Sequence, residues 1–210
     1  MNSFFDFLFG QYSIYETIDI VLEIIAVIFG FLSVWYSKQN NILVFPTGII
    51  STVIFVYLLF KWELLGDMMI NAYYFIMSLY GWYIWTRKVD ENHVTPISKM
   101  SFNEKKISVA IFLATLIFVY LVYNVFDKWT SWVAYVDTLT TAVFFVGMWL
   151  MAKRKLENWM FWIVGDLISV PLYFHKGFTF TSLQYLVFTV IAVFGYLTWK
   201  KSINKNLQIV

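Results

Sequence analysis

The sequence predicts an all-α membrane protein with seven transmembrane helices. Three observations predict it: an apolar composition, seven apolar segments of about the length of a membrane span, and basic residues that gather in alternate connections. The chain is 60% hydrophobic, 22% aromatic and 13% charged, whereas a soluble domain is about 25% charged. A soluble chain of 210 residues could not remove this much apolar surface from water.

Seven segments reach or approach the roughly 20 apolar residues that a spanning helix needs. Their runs are too long and too continuous for the alternating pattern of a membrane β-barrel. We therefore expect a single transmembrane domain over residues 1–210, with residues 87–103 as its longest linker. The predicted spans are residues 17–36, 41–60, 66–86, 104–125, 132–152, 158–174 and 179–199.

The basic residues indicate the orientation in the membrane. Seven spans put 12 of the 15 Lys and Arg residues on one side. Because cytoplasmic loops are enriched in Lys and Arg, the N-terminus is expected outside and the C-terminus in the cytoplasm. The three basic residues on the outer side are Lys61, Lys128 and Lys176.

A weak internal repeat divides the spans into two units. Three residues recur 117 positions later and two recur 114 positions later, which a shorter loop before the third helix would explain. Residues 17–86 and 132–199 form the units and 104–125 connects them, in a 3+1+3 arrangement whose units run in the same direction. Transporters built this way bind substrate between their halves. The pairs are Gly30/Gly147, Asn41/Asn158, Gly48/Gly165, Gly81/Gly195 and Trp85/Trp199.

Several other classes of function find no support in the sequence. There is no Cys, and His93 and His175 lie far apart in hydrophilic connections, so no metal-ligand pattern is present. No nucleophile, zinc or phosphate-loop motif is present, so we expect neither an enzyme nor a bound cofactor. The net charge of +2 does not indicate nucleic-acid binding. Residues 1–10 lack a basic region and a cleavage site, so no removable signal peptide is expected.

The sixth span carries the main candidates for a binding site. Asn158, Trp162 and Asp166 are spaced by four and share one helix face, with Trp159 beside it. An amide, an indole and a carboxylate on one face could hydrogen-bond, stack on and electrostatically attract a flat cationic ligand. The alternative for the tryptophans is an aromatic belt at the membrane interface.

Polar residues on three other spans complete the candidate site. A Gln facing lipid would be costly, which favours an inward orientation for a polar pair on the seventh span. Glu23 and Asp166 are ionisable groups inside spans, so a proton-coupled transporter is an alternative. The further candidates are Gln184 and Tyr185 on the seventh span, Asn41 and Thr47 on the second, and Asp137 and Thr141 on the fifth.

Four segments of this sequence resemble the PnuC-type vitamin transporters, and the likeness extends from about residue 17 to 200. The segments are Trp35–Gly48, Leu79–Trp85, Asp137–Thr141 and Glu157–Asp166. The resemblance implies a SWEET-like fold of seven helices, a bacterial inner-membrane location and a homotrimer. It also implies uptake of nicotinamide riboside by facilitated diffusion with trapping by cytoplasmic phosphorylation. Similar proteins carry thiamine or riboflavin, and the residues alone do not distinguish these substrates.

Overall fold

The computed structural model describes residues 16–62, 65–87, 95–127, 129, 131–175 and 179–207, and this part of the chain is all-helical. It contains seven α-helices, and their bounds follow the predicted spans closely. They are α1 (Thr17–Lys38), α2 (Val44–Lys61), α3 (Leu65–Thr86), α4 (Phe102–Val125), α5 (Trp132–Ala152), α6 (Asn158–His175) and α7 (Thr179–Leu207). The N-terminal segment for which no signal peptide is expected and His93 lie outside the described residues.

Five of these helices are long and apolar enough to cross a membrane: α1, α2, α4, α5 and α7. The other two carry more polar side chains, among them Asn71 on α3 and Asp166 on α6. The outward surface is rich in exposed large apolar residues such as Ile28, Leu113 and Phe194. So extensive an apolar surface is unfavourable in water and is typical of a membrane-embedded protein.

Six helices form a closed ring through their contacts. Neighbours in the chain pack together within α1–α2–α3 and within α5–α6–α7. The two groups meet twice, where α3 contacts α5 and where α1 contacts α7. We call these six helices the six-helix ring. The remaining helix, α4, packs against α5.

The turn between α1 and α2 has the same geometry as the turn between α5 and α6. Each contains a residue with positive φ, Asn40 at 55° and Arg154 at 59°. The N–H of Asn41 donates to the carbonyl of Tyr36, and the N–H of Lys155 donates to the carbonyl of Leu150, each at 2.9 Å. Arg154 Nε donates to Asn40 Oδ1 at 2.9 Å, a bond between residues 114 positions apart. The two equivalent turns therefore meet directly.

This geometry corrects part of the repeat predicted from sequence. The spacing is 114 positions in these turns, not the 117 predicted for Asn41 and Asn158, which is wrong here. The N–H groups of Val44 and Asn158 make equivalent bonds at the start of α2 and α6, each to the carbonyl three residues earlier. Asn158 therefore corresponds to Val44, and no loss of three residues in a later loop is needed.

Arg154 is held in its positive-φ conformation by several contacts. One guanidinium NH group donates to the carbonyl of Thr95 at 2.6 Å. The guanidinium carbon lies 4.5 Å from the ring centroid of Trp85, within the range of a cation–π contact. Burial lowers the pKa of Arg154 from its ordinary value, but an arginine remains charged in a protein. A bulky residue at positive φ is unfavourable alone, so this turn depends on its neighbours.

Residues 95–101, which precede α4, form hydrogen bonds with the turn between α5 and α6. The carbonyl of Ser98 accepts a hydrogen bond from the N–H of Leu156 at 2.9 Å, and the N–H of Ser98 donates to the carbonyl of Arg154 at 3.2 Å. Ser101 and Glu104 form a capping box that starts α4. Hydrogen bonds to the α5–α6 turn therefore hold the described residues that precede α4.

Candidate functional site

A cavity of about 250 Å³ lies inside the six-helix ring. Its size is near the lower end of the range of small-molecule pockets. All six helices of the ring contribute to its lining, and α4 contributes none of the lining residues. The lining comprises Gly30, Ser33, Val34, Ser37, Val44, Gly48, Ser51, Thr52, Tyr74, Ser78, Phe144, Met148, Met151, Trp159, Trp162, Asp166, Tyr185, Phe188 and Ala192.

The wall contributed by α5, α6 and α7 is aromatic. The rings of Phe144 and Trp162 stack with centroids 5.5 Å apart. The ring of Tyr185 is nearly parallel to Phe144 at 6.1 Å. From the opposite group, Tyr74 comes within 6.5 Å of Trp162. Flat aromatic faces of this kind can stack on a planar ligand and attract a cationic one.

Asp166 provides a carboxylate in the cavity. Its side chain lies on α6 one turn beyond Trp162 and is 2% exposed. Tyr74 and Tyr185 line the same cavity. Among the lining residues no Lys, Arg or His accompanies it. A carboxylate without a cation in the lining favours a positively charged ligand over an anionic one.

Apart from Tyr74, the wall contributed by α1, α2 and α3 consists of serine, threonine, glycine and valine residues. Ser33 Oγ donates to the carbonyl of Val44 at 2.8 Å, and Ser51 Oγ donates to the carbonyl of Ala26 at 2.8 Å. Both bonds join α1 to α2. Ser78 on α3 is 3% exposed and also faces the cavity. The two walls of the cavity therefore differ in chemistry.

The lining follows the spacing of 114 positions found in the turns. Fourteen of the lining residues form seven pairs at this spacing, so the cavity lies between equivalent positions of the two groups of helices. In two pairs a glycine of the first group stands opposite an aromatic ring of the second. The pairs are Gly30/Phe144, Val34/Met148, Ser37/Met151, Gly48/Trp162, Thr52/Asp166, Tyr74/Phe188 and Ser78/Ala192.

One end of the cavity is covered by reciprocal contacts, and we call it the tryptophan end. Trp85 Nε1 donates to the carbonyl of Met151 at 3.2 Å, and Trp199 Nε1 donates to the carbonyl of Ser37 at 3.0 Å. Ser37 Oγ also contacts Met151 Sδ at 3.3 Å. All four residues are buried. Each group of helices thus places a tryptophan on the first helix of the other.

Four of the ten residues that the sequence indicates as a site lie together in this cavity: Trp159, Trp162, Asp166 and Tyr185. Six are not among the lining residues. Asn158 is fully buried and donates to the carbonyl of Lys155 at 2.6 Å. The sequence-based interpretation grouped it with Trp162 and Asp166, but its side chain turns back to the α5–α6 turn.

The other five residues have local partners or lie away from the lining. Asn41 precedes α2, where its Oδ1 accepts the N–H of Leu43 at 3.0 Å. Thr47 donates to the carbonyl of Leu43, the residue before α2, at 2.6 Å, and Thr141 donates to the carbonyl of Asp137 at 2.8 Å. Asp137 and Gln184 are half-buried.

Sequence reasoning missed the hydroxylated wall. Serines on apolar helices are common, and single residues such as Ser33 or Ser78 carry no specific signal. The spacing of Gly30, Ser33 and Ser37 by three and four residues does place them on one face of α1. That spacing was the signal that could have located this wall.

The fold and the cavity together define a class of protein. A helical bundle with an apolar surface, and a buried cavity between two groups of helices with equivalent contacts, is characteristic of a multi-pass membrane transporter. The sequence profile of the nicotinamide mononucleotide transporter family matches residues 20–201. The chain belongs to this family, and the bacterial inner membrane fits a transporter of this kind.

Individual relatives agree with this membership. The nicotinamide riboside transporter PnuC of Escherichia coli is 24% identical, over 88% of this chain and 87% of the relative. The riboflavin/roseoflavin transporter RibM of Streptomyces davaonensis is also 24% identical, over 95% of this chain and 91% of the relative. A crystal structure of the vitamin B3 transporter PnuC has the same fold, with a TM-score of 0.65 and 23% identity, covering 97% of this chain and 91% of that one.

Proposed function

We propose that the chain carries nicotinamide riboside across the membrane and that the cavity inside the six-helix ring is its binding site. The observation that carries this proposal is the buried carboxylate of Asp166 beside the stacked rings of Trp162 and Phe144. Nicotinamide riboside has a flat cationic ring, so the tryptophan would stack on the ring and the carboxylate would offset its charge. Trp159 and Tyr185 complete the aromatic part of the site.

The lining favours a riboside over a phosphorylated substrate. The family is described by nicotinamide mononucleotide, which carries a phosphate group. A buried phosphate requires cationic or N–H donor partners, and the lining contains Asp166 but no Lys or Arg. The relatives named as riboside transporters support the same choice.

The proposed architecture is a 3+1+3 parallel repeat, with α4 as the connecting helix. The spacing of 114 positions in the two turns and in the lining supports it. We place the N-terminus outside and the C-terminus in the cytoplasm, because 12 of the 15 basic residues then lie on the cytoplasmic side. Assembly as a homotrimer is proposed on the resemblance to PnuC-type transporters.

Transport would occur by facilitated diffusion with alternating access, in which one group of helices rocks against the other. With the proposed orientation, the tryptophan end faces the cytoplasm and its contacts close that side. Release into the cytoplasm would require separation of Trp85 from Met151 and of Trp199 from Ser37. Phosphorylation of the substrate in the cytoplasm would then prevent its return.

A second candidate substrate is riboflavin, because the relative RibM is named for it and aligns with 95% of this chain. Riboflavin is also flat and heteroaromatic, but its ring system is larger and carries no fixed positive charge. Thiamine, which is cationic, is a further alternative. A proton-coupled mechanism through Glu23 or Asp166 would replace facilitated diffusion without changing the proposed binding site.

Calorimetric binding to the purified protein tests the proposal. Nicotinamide riboside, nicotinamide mononucleotide, thiamine and riboflavin are titrated into the wild type and into Trp162→Ala. The control is Trp132→Ala, because Trp132 is 54% exposed at the start of α5 and does not line the cavity. We expect selective binding of the riboside that is lost in Trp162→Ala and kept in the control.

Each other result changes the proposal in a defined way. Preference for riboflavin or thiamine would assign that vitamin instead. Tight binding of the mononucleotide would contradict the argument from the missing cation. Folded protein that binds none of the four compounds would refute the assignment.

A further inference from the structure

We propose that the hydroxylated wall of the cavity, formed by Ser33, Ser51 and Ser78, is the site that holds the hydroxyl groups of the substrate's sugar. This inference rests on the proposed function, because it assigns an orientation to a riboside inside the same cavity. The flat ring would lie against the aromatic wall of α5, α6 and α7. The sugar would lie against α1, α2 and α3.

The first argument is the hydrogen-bonding state of these serines. The protons of Ser33 and Ser51 are donated to main-chain carbonyls at 2.8 Å each. Their oxygens therefore retain lone pairs and can only accept a further bond from a ligand. A sugar offers O–H donors, whereas a phosphate or a carboxylate offers acceptors. Two committed serines thus select for a ligand rich in hydroxyl groups.

The second argument is the state of Ser78. This residue is 3% exposed and lines the cavity. A serine hydroxyl can donate one hydrogen bond and accept others. A ligand hydroxyl in the cavity would therefore find in Ser78 a partner that complements the two accepting serines.

The third argument is the position of Gly48 between two of the serines. A Cβ atom added at Gly48 would lie 3.0 Å from Ser33 Oγ and 3.4 Å from Ser78 Oγ. Both oxygens therefore lie beside the backbone of Gly48, and the absence of a side chain there leaves the two hydroxyls uncovered. The equivalent position in the second group of helices carries the side chain of Trp162.

The equivalent residues on the opposite wall cannot make these contacts. At the spacing of 114 positions, Ser33 corresponds to Gly147, Ser51 to Gly165 and Ser78 to Ala192. None of the three has a hydroxyl. The serine acceptors are therefore present on one wall only, and the proposed stacking of the cationic ring near Asp166 then directs the sugar towards them.

The test uses Ser78→Ala rather than a change at Ser33 or Ser51, because those two serines donate hydrogen bonds that join α1 to α2 and their removal would weaken helix packing. The matched control is Ser108→Ala on α4, where a buried serine donates to the carbonyl of Glu104 at 2.9 Å and does not line this cavity. Binding is measured for nicotinamide riboside and, by competition, for 1-methylnicotinamide, which has the same cationic ring and no sugar. Gly48→Ala serves as a second variant, since its methyl group would lie against both hydroxyls and cover them.

We expect Ser78→Ala to weaken binding of the riboside by about threefold to tenfold, the range of one neutral hydrogen bond. Binding of 1-methylnicotinamide should change by less than about twofold, and Ser108→Ala should affect neither. Gly48→Ala should weaken the riboside more than the sugar-free ring. An equal loss for both compounds, or no loss in either variant, would overturn the sugar-binding wall while leaving the proposed function intact. If the wild type bound neither compound, the proposed function itself would be refuted.

Discussion

The charge of the substrate ring should be recognised by Asp166, and Asp166→Asn tests this directly. Asn has nearly the same shape as Asp and no charge. Trp162 and Asp166 are four residues apart on α6, so their side chains are about 6 Å apart. A cationic ring stacked on Trp162 would thus lie about 6 Å from the carboxylate. At an effective dielectric constant of about 20, the attraction is about 3 kcal/mol, or roughly a hundredfold in affinity.

The assay compares nicotinamide riboside with its reduced, uncharged dihydro form, which has almost the same size. Asp166→Asn should weaken binding of the cation by up to about a hundredfold and that of the neutral form by less than about threefold. Asp67→Asn, on an exposed residue of α3 outside the cavity lining, is the control. A similar loss for both ligands would refute electrostatic recognition by Asp166 and indicate a structural role.

Three further outcomes are expected. Gly195→Ala should strongly lower the melting temperature of the protein in detergent, because the added Cβ would lie 2.6 Å from the indole ring of Trp159. Gly30→Ala should lower it only slightly, because its Cβ would meet one serine oxygen at 3.2 Å. Equal melting temperatures for the two variants would contradict this packing. Trp85→Phe and Trp199→Phe each remove one hydrogen bond at the tryptophan end. A cysteine introduced into the cavity lining should then react severalfold faster with a thiol reagent added on the cytoplasmic side. Unchanged labelling would mean that these bonds do not hold the cavity closed. In proteoliposomes without a substrate gradient, a pH step should drive no uptake, and uptake that is lost in Asp166→Asn would instead establish proton coupling.

The helices could be predicted from the sequence because the apolar runs of this chain are long and their connections are polar. The ends of the helices were predicted less accurately than the helices themselves. The second span was expected from residue 41, but α2 begins at Val44. The three residues before it form the turn that is repeated before α6. This local backbone geometry has no apolar signature, which is also why the matching of Asn41 with Asn158 was wrong.

The candidate site was predictable in part for a physical reason. Trp162 and Asp166 are unusual within an apolar span, so their presence requires an explanation and points to the cavity. Asn158 is equally unusual, but it is the first residue of α6, and its side-chain amide donates to the carbonyl of Lys155 in the preceding turn. The serines escaped notice because a hydroxyl on an apolar helix can be satisfied by a nearby carbonyl. Only the packing of α1 and α3 against α2 shows that they share one wall.

The pairing of lining residues at 114 positions has a consequence for how such a protein could arise. Two identical subunits around a twofold axis would present every group twice, and a cavity on that axis would suit only a ligand with matching ends. A riboside has two unlike ends. In the proposed 3+1+3 arrangement both copies are joined in one chain through α4, so neither copy has to remain identical to the other. Substitutions could then accumulate separately, as at Gly48 against Trp162 and Thr52 against Asp166, and the cavity could come to fit a ligand with two unlike ends.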